Sequence, residues 1–191
     1  MEYILIIIAA IFVNNIVLTQ FLGICPFLGC SNKVKTAMGM GMAVIFVMVL
    51  STTVTWLIMK YILTNFNIEF LQTIAYILVI AALVQIVEIV LKKLSPSLYQ
   101  ALGVYLPLIT TNCTILGVAI LVIQKDYDLL TSVIFAIGMS IGFTLALLIL
   151  AGIREQIEKF SIPKGMKGIP ITLIVAGILA LAFMGFSGMI K

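Results

Sequence analysis

Three cysteines carry the chemistry this sequence could perform: Cys25 in GICPFLG, Cys30 five residues later, and Cys113 in TTNCTILG. A thiolate is a nucleophile and a soft metal ligand. The chain has no histidine, which removes imidazole bases, His-ligated haem, Rieske-type ligation and most zinc sites. Any metal chemistry must therefore use sulfur or oxygen. Three cysteines cannot form a closed disulfide set, which argues against a disulfide framework as the reason for them. Two matched thiolates would be half of the four that an iron–sulfur cluster ordinarily takes, and that use requires a second protein to bring the other half.

The elements that must position these thiols are membrane helices. Of 191 residues, 63% are hydrophobic and 9% charged, with a mean hydropathy of +1.31, far from the composition of soluble domains. Uncharged or nearly uncharged runs fall at Tyr3–Leu22, Met38–Met59, Phe70–Leu91, Leu98–Ile123, Leu129–Gly152 and Ile169–Ile190, each close to the ~20 residues that a spanning helix needs. Six transmembrane helices are predicted in an all-α integral membrane protein. The short loops between them leave no room for an extramembrane catalytic domain. Glu2 in place of a basic opening, and no small-residue cleavage site after it, speak against a signal peptide. The net charge of +4 reports orientation rather than affinity for nucleic acid. Lys33, Lys35, Lys92, Lys93, Arg154, Lys159, Lys164 and Lys167 fall on one side, and Lys60, Lys125 and Lys191 on the other. The richer side is expected to face the cytoplasm, with both termini outside.

The chain also repeats itself. CPFLG (Cys25 to Gly29) and CTILG (Cys113 to Gly117) share C-x-x-L-G at a separation of 88 residues, and AMGMG (Ala37 to Gly41) matches AIGMS (Ala136 to Ser140) at a separation of 99. Two matches in the same order point to duplication, with residues 1–93 and 94–191 as the halves of one membrane domain. Three helices per half is an odd number, so the second half must be inverted. Gly23, Pro26 and Gly29 near one cysteine, and Pro107 and Gly117 near the other, are helix breakers. Helices 1 and 4 are therefore expected to be interrupted at the cysteine motifs. Irregular backbone within a bilayer must be covered by protein or line a cavity, which predicts Cys25 and Cys113 in the interior and near one another. Asn14, Asn15, Thr19 and Gln20 precede the first, and Thr110, Thr111 and Asn112 the second. Such groups bond between helices, satisfy freed backbone, or donate to a bound anionic group. Gly23, Asn15, Thr111 and Asn112 are taken as supporting residues of the site. Cys30 has no counterpart in the repeat and reads as a bystander.

Other features read as structural. Glu88 is the one acid within a predicted span, but Lys92 four residues on makes an interfacial ion pair the plain reading. Gly138 and Gly142 form a G-x-x-x-G packing motif. The ten methionines lack motif spacing, and Trp56 and the tyrosines near span ends suit interfacial anchoring. The segment from Gly152 to Pro170 is the longest loop, and its first part continues helix 5 as a short amphipathic extension.

The wording VNNIVLTQFLGICPFLG and LPLITTNCTILGVAI closely resembles the A subunits of Rnf complexes, the ion-translocating ferredoxin:NAD oxidoreductases. It is also similar, less closely, to the E subunits of the sodium-pumping NADH:quinone reductases. The resemblance covers the whole chain. It implies an enzyme component without a complete active site of its own, paired about a pseudo-two-fold axis with its homologue, the Rnf E subunit. It further implies a [2Fe–2S] cluster with two cysteines from each of the pair, here Cys25 and Cys113. Electrons would then pass between the cytoplasmic and outer parts of a complex that also holds the B, C, D and G subunits, coupled to movement of sodium ions or protons. No nucleotide-binding glycine fingerprint is present, so ferredoxin and NAD are expected to bind elsewhere. The competing reading from another class is a secondary transporter or channel, in which Asn14, Asn15, Thr111 and Asn112 coordinate cargo and the cysteines are incidental.

Overall fold

The computed structural model describes residues 2–66, 69–94, 106–161, 163 and 165–185, and these contain helices and no strand. Helix α1 (Glu2–Ile8) widens into π-helical turns at Ala9–Val13 and stops where Asn14 and Asn15 leave helical geometry. Two short helices follow, α2 (Ile16–Gln20) and α3 (Ile24–Gly29). Beyond them come α4 (Val34–Ile58, continued by π-helical turns at Met59–Leu63), α5 (Gln72–Leu94), α6 (Leu106–Thr110), α7 (Cys113–Gln124), α8 (Leu129–Ile157) and α9 (Ile169–Met184). Four stretches are long and apolar enough to cross a membrane: Val34–Leu63, Gln72–Val90, Pro107–Gln124 and Leu129–Ile157. Tyr3–Val13 and Ile169–Met184 are apolar but shorter. The expected start of helix 4 at Leu98, the expected end of helix 6 at Ile190, and Lys164 and Lys191 of the charge count lie outside the described residues.

At the centre α4 and α8 pack along their length. Between apolar helices in lipid there is little hydrophobic gain, so close packing of small side chains and interhelical hydrogen bonds must hold the pair. Gly41 lies directly against Thr144. Ala37, Met40 and Gly41 on α4 are buried, as are Ala136, Met139 and Ser140 on α8, so the second motif pair forms the inner faces of the two central helices. The expected G-x-x-x-G contact is present. A methyl group on Gly138 would stand 3.1 Å from the Ala10 Cβ, and one on Gly142 would stand 3.2 Å from the Ala10 carbonyl oxygen. These two glycines seat α1 on α8.

Each central helix is tied at its end to the residue stretch that precedes the other. Near the end of α4, the Trp56 indole N–H donates to the Tyr127 carbonyl at 3.0 Å, just ahead of α8. Near the end of α8, Arg154 Nη1 donates to the Leu28 carbonyl at 2.9 Å and to Ser31 Oγ at 2.8 Å, just ahead of α4. The two helices are therefore antiparallel. Around this pair α7 packs on α4 and α1 on α8, while α5 lies beside α4, α6 and α7, and α9 beside α8, α2 and α3. Large apolar side chains such as Met42, Phe46, Leu78 and Leu181 point away from the bundle, a surface compatible with lipid. Tyr76 departs from the expected interfacial placing of the tyrosines, because its ring is fully buried in the bundle.

Candidate functional site: two cysteine-bearing segments in contact

The first break is held by Asn15. Its carboxamide oxygen accepts from the backbone N–H groups of Val17 (3.2 Å) and Leu18 (3.4 Å), capping α2. Its Nδ2 donates to the carbonyls of Gly142 (2.8 Å) and Ile11 (3.3 Å). An asparagine at this position serves both functions, because Oδ1 replaces the missing acceptor for the helix start and Nδ2 reaches the neighbouring helix. Gly142 is small enough to let α1 and Asn15 approach.

A second break separates α2 from α3. Phe21 is in the left-handed region at φ 54° and Gly23 at φ 78°, the conformation that glycine adopts without the Cβ penalty. Gly23 then caps α3, whose second residue is Cys25. The other cysteine follows a break between α6 and α7. Thr111 and Asn112 interrupt the chain between α6 and α7, Asn112 Oδ1 accepts from Thr114 N at 3.0 Å, and Cys113 is the first residue of α7.

The two breaks meet. A methyl group on Gly23 would overlap the Thr114 hydroxyl, stand 3.0 Å from Asn112 Oδ1 and 3.1 Å from the Phe143 ring. One turn further along α7, Gly117 receives the side chain of Leu22, and a methyl group on Gly29 at the end of α3 would stand 3.4 Å from the Leu108 side chain of α6. The residues flanking Cys25 thus lie on the residues flanking Cys113. The cysteines themselves correct the sequence expectation of interior thiols: both side chains are exposed, and the buried cysteine is Cys30. The covered faces of α3 and α7 carry Phe27, Thr114, Ile115 and Val118, and this packing turns the thiols outward.

Among the supporting residues, Gly23, Asn15 and Asn112 are buried within the junction, whereas Thr111 is exposed and its hydroxyl donates to the Pro107 carbonyl at 3.0 Å. Asn14 and Gln20 are also exposed. Two buried polar atoms at the junction have no partner among the described residues, Asn112 Nδ2 and Thr114 Oγ1. Burial pushes the Cys30 thiol up to about 11, which keeps it protonated and unreactive. Thr114, Leu22 and Arg154 are functional neighbours that sequence reasoning misses. The place of Thr114 two residues after the cap is a signal that could find it, but Leu22 and Arg154 matter only through partners distant in the chain.

As a ligand set the junction offers two soft thiols on adjoining segments and no third ligand. Among the described residues no group of three or more His, Cys, Asp or Glu side chains converges. The donor set fits half of a thiolate-ligated cluster and needs a second chain for the remainder.

The chain is 57% identical to the A subunit of the Na(+)-translocating ferredoxin:NAD(+) oxidoreductase complex of Acetobacterium woodii, over 99% of this chain and 98% of that protein. It is 56% identical to the A subunit of the ion-translocating oxidoreductase complex of Syntrophotalea carbinolica, over 97% of this chain and 96% of that protein. The corresponding protein of Alcanivorax borkumensis is 53% identical over 100% of this chain and 98% of that protein. The family model described as "Rnf-Nqr subunit, membrane protein" matches residues 3–190. The chain belongs to the Rnf-Nqr family of membrane subunits.

Proposed function

We propose that this chain is an A-type membrane component of an ion-translocating ferredoxin:NAD oxidoreductase, and that Cys25 and Cys113 supply two of the four thiolates of a [2Fe–2S] cluster shared with a homologous partner. The observation that carries this reading is the contact between the two cysteine-bearing segments with both thiols facing outward. A chain that completed its own metal site would enclose its ligands. One that shares the site must present them to its partner, and irregular backbone at membrane depth then requires that partner as cover.

When bound, such a cluster supplies one-electron transfer within the membrane. The chain's own residues hold and orient its half. Cys25 and Cys113 provide the sulfurs, and Gly23 allows α3 to rest on the start of α7. Asn112 fixes the first turn of α7 by capping Thr114 N. Ferredoxin and NAD bind elsewhere in the complex, the B, C, D, E and G subunits completing the assembly, and electron flow is coupled to movement of sodium ions or protons. The names of the relatives, as components of Na(+)-translocating and ion-translocating complexes, support the coupling to ion movement and the assembly into a complex.

The fold reads as two inverted three-helix repeats in the cell membrane, with termini outside. Support comes from the packing: α4 on α7 has its counterpart in α8 on α1, and α5 beside α4 in α9 beside α8. The end ties agree, because Leu28 and Tyr127, the two acceptors, are 99 positions apart, the same offset as Ala37 and Ala136.

The test uses inverted membrane vesicles containing the complex. Ferredoxin-dependent NAD reduction and ion uptake should both be lost in Cys25→Ser and Cys113→Ser and retained in Cys30→Ser. Unchanged activity and ion uptake in the first two variants would overturn the proposal.

A further inference from the structure

Away from the cysteines, the end of α8 and the start of α9 enclose a cavity of about 300 Å³ whose lining includes Arg154, Glu158 and Lys167, with Ile157 and Ile171 as apolar wall. It sits where the apolar run of α8 gives way to charged sequence and the apolar run of α9 begins. In a membrane protein that is the depth of the lipid headgroups. We infer that this cavity binds the phosphodiester headgroup of an anionic phospholipid.

Arg154 is the only arginine in the chain. A guanidinium has five N–H donors in a rigid plane, and here the two donated bonds, to Leu28 O at 2.9 Å and Ser31 Oγ at 2.8 Å, both come from Nη1. The plane is thereby fixed, and among the described residues Nη2 and Nε donate no bond, the arrangement that suits two-pronged recognition of a phosphate. Lys167 lines the same cavity without an ion pair among the described residues. Two cations and one carboxylate leave the lining with one positive charge, matching the single negative charge of a phosphodiester. The Thr172 hydroxyl is already committed to the Gly168 carbonyl at 2.9 Å, so the cations are the recognising groups. Ile157, Ile171 and the exposed Ile169 beside them give an acyl chain an apolar path out of the cavity. A bound headgroup would share its guanidinium with the Leu28 carbonyl and so reinforce the end of α3, the helix that carries Cys25.

The test is made on the whole complex, purified in detergent, stripped of lipid and titrated with phosphatidylglycerol, phosphatidylcholine or inorganic phosphate, with lipid bound to this chain read by native mass spectrometry. Phosphatidylglycerol should be retained in preference to phosphatidylcholine. Lys167→Gln should weaken that retention about fivefold, the effect of one basic side chain near the membrane surface, and Lys167→Arg should preserve it. Equal retention of both lipids, or Lys167→Gln indistinguishable from the parent, would overturn the proposal. Displacement of phosphatidylglycerol by equimolar inorganic phosphate would overturn the lipid assignment in favour of a free anion. Loss of a neighbouring protein from the Lys167→Gln complex would overturn it in favour of a protein contact.

Discussion

Gly23 rests against Thr114 so closely that a methyl group at position 23 would occupy the space of the Thr114 hydroxyl. This contact joins the helix that carries Cys25 to the helix that begins at Cys113. Gly23→Ala therefore meets two penalties, the overlap and a φ of +78°, and together they should cost more than about 2 kcal/mol. The double variant Gly23→Ala, Thr114→Ala should recover the part due to overlap and keep the part due to φ. Thermal melting of the purified complex distinguishes these shares.

The two capping asparagines differ in how fully they are used. Asn15 accepts two bonds and donates two, one of them to α8, whereas Asn112 accepts one and leaves its Nδ2 without a partner among the described residues. Asn15→Ala should destabilise by about 2 kcal/mol and Asn112→Ala by about 1 kcal/mol or less. Asn112→Ser keeps a cap and removes the unpartnered donor, so it should be close to neutral. Denaturation of the three variants in detergent checks the order.

The ties at the ends of α4 and α8 should be unequal. Trp56→Phe removes one N–H bond to the Tyr127 carbonyl and should cost about 0.6 kcal/mol, the average for a side-chain hydrogen bond in a membrane bundle. Arg154→Gln releases both the Leu28 carbonyl and the Ser31 hydroxyl and should cost more, because charged donors bond more strongly. Amide hydrogen exchange should then rise at residues 24–33 in the second variant and around residues 125–129 in the first.

Alkylation should separate the three cysteines by pH. Cys25 and Cys113 are exposed and Cys30 is buried with its thiol pushed up to about 11. The reactive species is the thiolate, so Cys30 should resist maleimide at pH 8 in the cluster-free chain. Its rate should rise about tenfold per pH unit up to about 11 and then level, as long as the fold persists. Rapid labelling of Cys30 at pH 8 would show that the segment around it is not packed as described.

The breaks are legible in the sequence because glycine, proline and asparagine act locally: Asn15, Gly23 and Asn112 each interrupt or cap a helix through their own backbone and side-chain chemistry. The facing of the cysteines is not. Whether a thiol looks inward depends on which side of α3 and α7 finds a neighbour in the same chain, and Phe27 and Ile115 take that side. The register of the duplication is only partly visible. The C-x-x-L-G match pairs Cys25, which follows a glycine-capped break, with Cys113, which directly follows an asparagine cap like that of Asn15. The matching ties at Leu28 and Tyr127 use unlike donors, arginine and tryptophan, so residue identity carries no trace of them.

The shared-cluster reading stands or falls on iron at the outward-facing thiols. EPR of the reduced, purified complex, with iron analysis, measures this in the parent and in single Cys→Ser variants. A [2Fe–2S] signal lost in both Cys25→Ser and Cys113→Ser but kept in Cys30→Ser is the predicted result. An intact, active complex whose signal survives replacement of Cys25 and Cys113 would contradict it.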